Sequence, residues 1–242
     1  MASINPSDLI AKFEYAIANN WGYIYGMTHE MWTTAKQAKY IQDYSGDSDR
    51  KNSCEYGGKW AGHWVTDCSG LFTWAFEQLG GKMYHGSNTM YNSWCTANGR
   101  LLKGKRTDGK ELKPGTAVFV YNSERQRYTH VGLYIGNGIV IEAQGAKNGV
   151  IKSKVTLDKW SHWGELKGVA YSEKPETIPS GYAKVTGIRV ALRTSPSTSA
   201  VVITRINTGE LVKVEQPPPN VWDYVSYNGK SGYMMKEYLQ EG

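Results

Sequence analysis

Apolar side chains in the first part of the chain recur with a helical period. Over residues 6–19 they fall about 3.6 residues apart, which predicts a helix with Ser7 as its N-cap. A similar pattern after Cys68 predicts a second amphipathic helix, whose apolar face consists of Leu71, Phe72, Ala75, Phe76 and Leu79. Between these two, residues 31–44 predict a less regular helix, and the polar stretch 45–58 predicts a loop.

The pattern changes to alternation further along the chain, which is typical of strands. Strands are predicted over residues 116–121, 129–135 and 139–143. The last two form a hairpin, and a three-residue loop would pair Ile135 with Ile139 and make one face wholly apolar. The same register brings His130 to the opposite face, together with Glu142 and Gln144.

A polar, proline-containing segment divides the chain. We predict a linker at residues 173–181, between a domain at residues 1–172 and a smaller domain at residues 182–242. The larger domain has helices first and strands afterwards, which predicts an α+β fold with helices packed on an antiparallel sheet. The smaller domain consists of short β-rich segments separated by turns, which predicts a small all-β barrel.

The composition is that of a folded chain. Of the 242 residues, 40% are hydrophobic and 12% are aromatic, which is too apolar for a disordered protein. No apolar run approaches the roughly 20 residues that cross a bilayer, so we expect no membrane insertion. The first residues show no basic start and no apolar region, so we expect no cleavable secretory signal. The net charge of +6 suggests an anionic partner without identifying it.

The cysteines predict neither a disulfide framework nor a zinc site. There are three of them, Cys54, Cys68 and Cys95, at wide spacing and without a CxxC pair. His29-Glu30 is not followed by the second histidine of an HExxH metal site. We therefore expect neither a metal nor another cofactor.

Cys68 has a setting suited to a nucleophile, because it directly precedes the predicted helix. A helix N-terminus supplies positive potential and free N–H groups, which stabilise a thiolate and an oxyanion. A cysteine nucleophile also needs a base and an orienting partner, and His130 shares its predicted face with Glu142. The remaining histidines are interpreted as ordinary surface or core residues: His29, His63, His85 and His162.

Four blocks of residues occur in a recognisable order. They are Tyr23-Ile24-Tyr25-Gly26, Asp67-Cys68-Ser69-Gly70-Leu71, His130-Val131-Gly132-Leu133-Tyr134-Ile135-Gly136-Asn137-Gly138 and Ile141-Glu142-Ala143. Over roughly residues 8–172 the chain thereby resembles the NlpC/P60 family of papain-like cysteine peptidases. The resemblance implies a papain-like fold and a peptidoglycan hydrolase, typically an endopeptidase that cuts between γ-linked D-glutamate and a diamino acid.

The resemblance also implies roles for individual residues. Cys68 would be the nucleophile, His130 the general base and later acid, and Glu142 the third polar residue. Three further residues would lie near the substrate: Tyr23, Asp67 and Ser69. Many members carry His, Asn or Gln at the third position, so Gln144 remains an alternative to Glu142. The segment 27–65 is longer than in compact members and predicts an added helix and loop beside the cleft.

The smaller domain resembles a bacterial SH3 domain over residues 182–240. The similarity rests on Val190-Ala191-Leu192-Arg193-Thr194-Ser195-Pro196, on Thr208-Gly209-Glu210-Leu211-Val212-Lys213-Val214 and on the stretch from Trp222 to Tyr233. Such domains commonly bind cell-wall peptides or glycans, which raises the local concentration of an attached enzyme at an insoluble substrate.

The combined expectation is a cysteine endopeptidase that cleaves wall stem peptides and is targeted to the wall by an SH3 domain. Its expected partner is bacterial peptidoglycan, and no nucleic acid is expected, because no Lys/Arg run or recognition motif is present. Without a visible signal, the protein is expected to stay cytoplasmic until phage-type lysis releases it to the wall, or to be exported by another route. The alternatives are an N-acetylmuramoyl-L-alanine amidase with the same Cys/His site and a catalytically inactive wall-binding protein.

Overall fold

The computed structural model describes residues 3–171, 178–216 and 221–241. The chain divides into two compact units, Met1–Tyr171 and Ser172–Gly242. Residues 173–177 of the predicted linker lie outside the described part of the chain. Within the described part, no helix is long and apolar enough to cross a membrane.

The first unit combines helices with strands, and most of its strands pair in the antiparallel sense. Its helices are α1 (Pro6–Ala18), α2 (Thr34–Gln42), α3 (Ser48–Tyr56), α4 (Gly70–Gln78) and α5 (Ser87–Ser93), with a 3₁₀ turn at Gly57–Trp60. Its strands are β1 (Gly22–Tyr23), β2 (Glu30–Met31), β3 (Trp64–Thr66), β4 (Cys95–Leu102), β5 (Lys105–Arg106), β6 (Ala117–Asn122), β7 (Arg127–Gly136), β8 (Ile139–Gly145), β9 (Gly149–Lys154) and β10 (His162–Leu166).

The main sheet of this unit has the strand order β5-β4-β10-β6-β7-β8-β9, and its paired strands are antiparallel. Helices α1 and α4 belong to the same buried cluster as one face of the sheet, through Phe13, Phe72, Phe119, Leu133 and other apolar side chains. A second, smaller buried cluster contains Val140 from β8 and Trp160 from the segment between β9 and β10. The predicted α+β class, with helices packed on an antiparallel sheet, is confirmed.

The N-cap of helix α1 lies two residues before the predicted one. Asn5 is the N-cap, and its side chain accepts a hydrogen bond from the Ser7 backbone N–H, so the prediction of Ser7 as N-cap is wrong. Pro6 at the first helical position needs no hydrogen-bond acceptor, which suits it to this site. The predicted span of 6–19 is otherwise close to the observed helix.

The segment between Tyr23 and Cys68 contains more regular structure than its sequence pattern predicts. The helix expected over residues 31–44 is shortened to α2, because Met31 belongs to β2 and Thr33 caps the helix. The loop expected over residues 45–58 is largely helix α3. This polar helix has little apolar periodicity to reveal it, and it is stabilised by the Asp47 N-cap and by contacts from other parts of the chain.

The β7–β8 hairpin has a tighter turn than expected. Its turn residues Asn137 and Gly138 both adopt positive φ, +49° and +74°, as a two-residue turn of the hairpin type requires. Leu133 pairs with Ile141, as in the predicted register. An irregularity before the turn places Gly136, not Ile135, opposite Ile139, so that part of the predicted register is wrong.

The second unit is all β. Its strands are β11 (Tyr182–Val185), β12 (Val190–Arg193), β13 (Val202–Ile206), β14 (Leu211–Gln216), β15 (Trp222–Tyr227), β16 (Lys230–Met235) and β17 (Leu239–Glu241). They pair in the order β13-β12-β16-β15-β14-β11-β17 around an apolar core that includes Leu192, Val212, Val225 and Met234. The expected small all-β fold of this part of the chain is confirmed.

Candidate active site

Cys68 lies directly before the N-cap residue of α4, which is Ser69, and is 8% exposed. Burial raises the pKa of its thiol, and the neighbouring Asp67 carboxylate raises it further. Backbone N–H groups, among them that of Val131, act in the opposite direction without overcoming burial. The helix N-terminus alone therefore does not produce the expected thiolate at rest, and the thiol needs a base to become a nucleophile.

The base candidate on the neighbouring strand is paired with a buried carboxylate. His130 Nε2 lies 2.6 Å from Glu142 Oε2, and the Glu142 side chain is fully buried while His130 is 17% exposed. Because Nε2 faces the carboxylate, Nδ1 is the ring nitrogen left for another partner. The N–H of the next residue, Val131, acts on the Cys68 thiol. Gln144 instead accepts a hydrogen bond from Asn148 within the β8–β9 turn. The structure thus brings Glu142 to His130 and directs Gln144 elsewhere.

A lysine binds the same carboxylate. Lys159 Nζ lies 2.6 Å from both oxygens of Glu142. Burial alone would raise the pKa of Glu142, but the hydrogen bond and charge of His130, and then the Lys159 hydrogen bond, lower it to about 2. Glu142 is therefore an ionised acceptor at neutral pH.

The tryptophan next to that lysine covers the imidazole. Trp160 is 1% exposed, and its ring lies nearly parallel to that of His130, with centroids 5.6 Å apart and planes at 23°. An apolar ring in this position shields the His130–Glu142 pair from water, which strengthens their interaction. Sequence reasoning did not identify Lys159 or Trp160, because they are separated from Glu142 by a whole strand and no local pattern connects them.

Asp67 is occupied by protein donors. Its Oδ1 accepts hydrogen bonds from the Ser69 N–H (2.9 Å), the Ser69 hydroxyl (3.0 Å) and the Gly70 N–H (2.7 Å). Its Oδ2 accepts from the Gly26 N–H at 3.0 Å and lies 2.8 Å from His85 Nε2. Asp67 and Ser69 are 5% and 4% exposed, so both predicted substrate-binding residues use their polar groups inside the protein.

His85 was interpreted from sequence as an ordinary histidine, but it belongs to this site. The hydrogen bond with Asp67 raises the pKa of His85, against the opposing effect of burial. His85 follows Asp67 by 18 positions in a non-helical segment, so no sequence periodicity relates the two. Its charge partly compensates the buried carboxylate beside Cys68.

The hydrogen bonds of Asp67 also decide which amides remain for an oxyanion. The N–H groups of Ser69 and Gly70 donate to the Asp67 side chain, and that of Leu71 donates to the Asp67 carbonyl. Among the described residues the backbone N–H of Cys68 donates to no carbonyl or carboxylate oxygen, and it acts on its own thiol together with the N–H groups of Ser69 and Val131. Of the amides near the helix start, it is the one that no carboxylate or carbonyl oxygen occupies.

Tyr23 is placed beside the nucleophile by strand pairing. Strand β1 runs parallel to β3, with Tyr23 opposite Thr66, one residue before Asp67. Burial raises the pKa of Tyr23, and the neighbouring Cys68 and Asp67 raise it further. The phenol is therefore a neutral donor, and its hydroxyl has no hydrogen-bond partner among the described residues.

The described residues contain no cluster of three or more His, Cys, Asp or Glu side chains arranged to hold a metal ion. The three cysteines are all free thiols. Cys95 is half-buried, and burial raises its pKa to about 12. Neither Cys54 nor Cys95 has a histidine–carboxylate pair on a neighbouring strand, in contrast to Cys68.

The second unit contains a cavity of about 280 Å³. Three arginines line it, Arg189, Arg193 and Arg205, beside the aromatic rings of Trp222 and Tyr238. Arg193 donates to the Ala200 carbonyl at 2.8 Å and Arg205 to the Arg189 carbonyl at 3.1 Å. None of the three forms an ion pair with a described residue, so the described lining of the cavity is positively charged.

Comparison with protein families finds a match for each unit. Residues 52–165 match the NlpC/P60 family, and residues 188–240 match the bacterial SH3 domain. The first match includes Cys68, His130 and Glu142 but not the Tyr23 block, which lies before its first residue.

Relatives with similar sequences come from mycobacteria. A probable endopeptidase of Mycobacterium tuberculosis is 32% identical over 77 residues, which are 32% of this chain and 16% of that protein. The peptidoglycan endopeptidase RipA of Mycolicibacterium smegmatis is 31% identical over 77 residues, 32% of this chain and 13% of that protein. The chain thus spans less than a fifth of the length of the curated relatives it matches.

Solved structures similar to this chain include the NlpC/p60 domain of the peptidoglycan hydrolase SagA, with 15% identity, 67% of this chain and 100% of that chain covered, and a TM-score of 0.41. The peptidoglycan hydrolase RipB from Mycobacterium tuberculosis has 17% identity, 68% and 82% coverage, and a TM-score of 0.33. The family matches agree with the sequence blocks and with the α+β and all-β units. The chain therefore contains an NlpC/P60 domain, matched over residues 52–165, and a bacterial SH3 domain, matched over residues 188–240.

Proposed function

We propose that this chain is a cysteine endopeptidase that cleaves the stem peptides of bacterial peptidoglycan, with Cys68 as nucleophile, His130 as base and Glu142 as the residue that orients the base. The observation that carries this proposal is the 2.6 Å contact between His130 and the buried Glu142 on the strand beside a buried thiol. The family match and the names of the mycobacterial relatives support the choice of substrate.

The proposed reaction begins with proton transfer from the Cys68 thiol to His130 Nδ1 as Sγ attacks the carbonyl carbon of the scissile amide. Glu142 accepts the Nε2 hydrogen bond throughout and stabilises the imidazolium that forms. The C–N bond then breaks, and His130 returns the proton to the departing amine, which leaves a thioester on Cys68. His130 next removes a proton from water, and the hydroxide adds to the thioester. The C–S bond then breaks, His130 returns the proton to the departing sulfur, and the carboxylic acid product leaves the restored thiol.

Around this centre, two donors are suited to the substrate. The Cys68 N–H, which donates to no carbonyl or carboxylate oxygen among the described residues, supports an assignment as the oxyanion donor, since it belongs to the residue whose sulfur attacks. The Tyr23 hydroxyl supports a substrate contact, because it is neutral and unpartnered among the described residues. Asp67 and Ser69 are buried and hydrogen-bonded to each other, which favours a role in holding the backbone of the site over direct contact with the substrate.

The second unit is proposed to hold the enzyme on the wall. Its arginine-lined cavity has a charge suited to oxyanions, and carboxylates and phosphates are both abundant in bacterial walls. Peptidoglycan is thus the proposed partner of both units. The scissile bond between D-glutamate and the diamino acid, and release in phage-type lysis or export by another route, stay predictions.

The decisive experiment uses the full chain and purified walls. Cys68→Ala is expected to abolish release of soluble fragments while the protein still sediments with the walls. Cys95→Ala is the matched control, because this thiol lacks a histidine–carboxylate pair, and it is expected to keep its activity. Undiminished hydrolysis by Cys68→Ala would overturn the mechanism.

Mass spectrometry of the released fragments separates the proposed activity from its alternatives. A new amino terminus on the diamino acid is expected for the endopeptidase. A freed lactyl group would instead identify an N-acetylmuramoyl-L-alanine amidase. Wall binding by the wild type without any released fragment would identify an inactive wall-binding protein.

A further inference from the structure

The carboxylate that orients His130 is shared with a third residue. Lys159 Nζ lies 2.6 Å from each oxygen of Glu142, a carboxylate with no exposed surface, while Lys159 itself is 29% exposed. Two contacts of this length on one buried group form a charge-assisted hydrogen-bonding arrangement and not a loose surface ion pair. Glu142 therefore has two cationic neighbours whenever His130 is protonated.

The segment that supplies Lys159 contacts both members of the His130–Glu142 pair. Lys159 and Trp160 lie between β9 and β10, and the Lys159 ammonium is 4.6 Å from the centroid of the Trp160 ring. That ring in turn lies against His130. One dipeptide thus positions the carboxylate with its first residue and covers the imidazole with its second.

The charge of Lys159 matters most when the imidazole is neutral. Burial removes a carboxylate from water, and without a neighbouring cation the lost solvation free energy is not recovered. His130 is neutral for part of the proposed cycle, and in those steps the ammonium is the cation that remains at Glu142. In the steps with an imidazolium, the Lys159 ammonium also attracts the carboxylate. The attraction between Glu142 and the protonated His130 is thereby weaker than it would be without the lysine.

We propose that Lys159 is a positioning residue for the proposed peptidase, which keeps Glu142 ionised and directed at His130 Nε2 and limits how strongly Glu142 retains the imidazolium proton. This inference rests on the proposed function only for the assignment of His130 as base. Among the described residues, the titratable groups in contact with Glu142 are His130 from β7 and Lys159. On its other side, His130 is covered by the uncharged Trp160 ring and lies next to Val131, whose N–H acts on the Cys68 thiol.

The test replaces the lysine with and without its charge. Lys159→Met and Lys159→Gln remove the charge, and Lys159→Gln keeps a hydrogen-bond donor in case the methionine variant folds poorly. Lys159→Arg restores the charge. Lys154→Met is the matched control, since Lys154 is exposed and forms no ion pair with a described residue.

The first measurement is the pH profile of kcat/KM for wall hydrolysis, whose acidic limb reports the base in the free enzyme. With the cation removed, His130 holds its proton more strongly, so the acidic limb is expected to move to higher pH by about one pH unit in Lys159→Met and Lys159→Gln. Lys159→Arg and Lys154→Met are expected to keep the wild-type limb. A purely structural role would lower the whole profile without moving it.

The second measurement does not depend on wall hydrolysis. In the Cys68→Ala background, NMR titration of the His130 ring follows its protonation directly, and the midpoint is expected to move upward by a similar amount when the lysine charge is removed. An unchanged midpoint in both neutral variants, or an equal shift in Lys154→Met, would overturn the role of Lys159. A shifted midpoint, combined with a protein that releases no wall fragments even when it retains Cys68, would instead retain this inference and reject the proposed function.

Discussion

Asp67 joins three separate stretches of the chain at the start of α4. It caps the helix through Ser69 and Gly70, binds the Gly26 N–H and pairs with His85. Satisfying a buried carboxylate in this way avoids the large cost of an unpaired charge. Asp67 therefore shapes the backbone that presents the Cys68 thiol, and its charge makes this thiol harder to ionise.

The Asp67–His85 pair predicts a pH-dependent stability. The pKa of His85 is raised in the folded state. Its charge therefore contributes fully to the free energy of unfolding below the ordinary histidine pKa of about 6.5, and this contribution is lost as pH rises through the folded-state pKa. His85→Gln keeps a neutral donor but loses the charge. We expect it to be destabilised by about 1 kcal/mol at pH 5.5 and by much less at pH 9.

Urea unfolding of the first unit in the full chain measures this difference. His63→Gln is the control, because His63 forms no ion pair with a described residue. A destabilisation of His85→Gln that is equal at both pH values would contradict a role for the imidazolium.

At the scale of elements, the start of α4 is packed against the chain that follows β1. A Cβ atom at Gly70 would overlap the carbonyl oxygen of Met27 and would lie 2.8 Å from Thr28 Cα. The same Met27 carbonyl accepts the Asp67 N–H at 2.6 Å. The glycine after Ser69 therefore permits a close backbone crossing directly beside the nucleophile.

Gly70→Ala is expected to destabilise the first unit by about 2 kcal/mol, because rigid backbone and not a flexible side chain must move. It is also expected to lower wall hydrolysis, since the displaced Met27 carbonyl holds the residue next to Cys68. Gly58→Ala is a suitable control, because its Cβ would meet only Gln37 Cγ, at 3.9 Å. Thermal unfolding and fragment release measure the two effects, and a Gly70→Ala protein as stable as Gly58→Ala would contradict the crossing.

The sequence predicted those elements whose stabilising contacts lie between residues close together in the chain. The amphipathic α4 and the pairing of Leu133 with Ile141 follow from local periodicity. The same local patterns singled out Cys68, His130 and Glu142, and the family resemblance added the roles that these residues would have. Helix α3 was missed because its stabilising contacts are distant: Asp49 pairs with Arg125 at 2.6 Å. Lys159 and His85 were missed for the same reason, since each meets its carboxylate only after the intervening chain has folded.

At the scale of the whole molecule, each unit has an apolar core of its own. This organisation lets the proposed enzyme and the proposed wall-binding module be altered separately. Because attachment raises the effective concentration of the enzyme at an insoluble wall, the second unit should matter for walls and not for soluble fragments.

We therefore expect deletion of residues 182–242 to reduce sedimentation with walls at least tenfold while hydrolysis of a soluble muropeptide changes little. The combined change of Arg189, Arg193 and Arg205 to Gln tests the cavity without removing the unit, and it is expected to weaken sedimentation in the same direction. Changing Lys213, which lies outside the cavity lining, to Gln is the charge control. Equal wall retention by the arginine variant and the wild type would exclude the cavity as the binding site.

The family match and the compact unit have different limits, and this matters for protein engineering. The match begins at residue 52, whereas the compact unit begins at the start of the chain. A fragment trimmed to the match would lack α1, whose Leu9 and Phe13 belong to the same fully buried cluster as Phe72 on α4. Chimeric proteins built from this domain should accordingly exchange residues 1–171 as one cassette. A shorter cut would expose the apolar face of α4, the helix that follows Cys68, and would thereby promote aggregation.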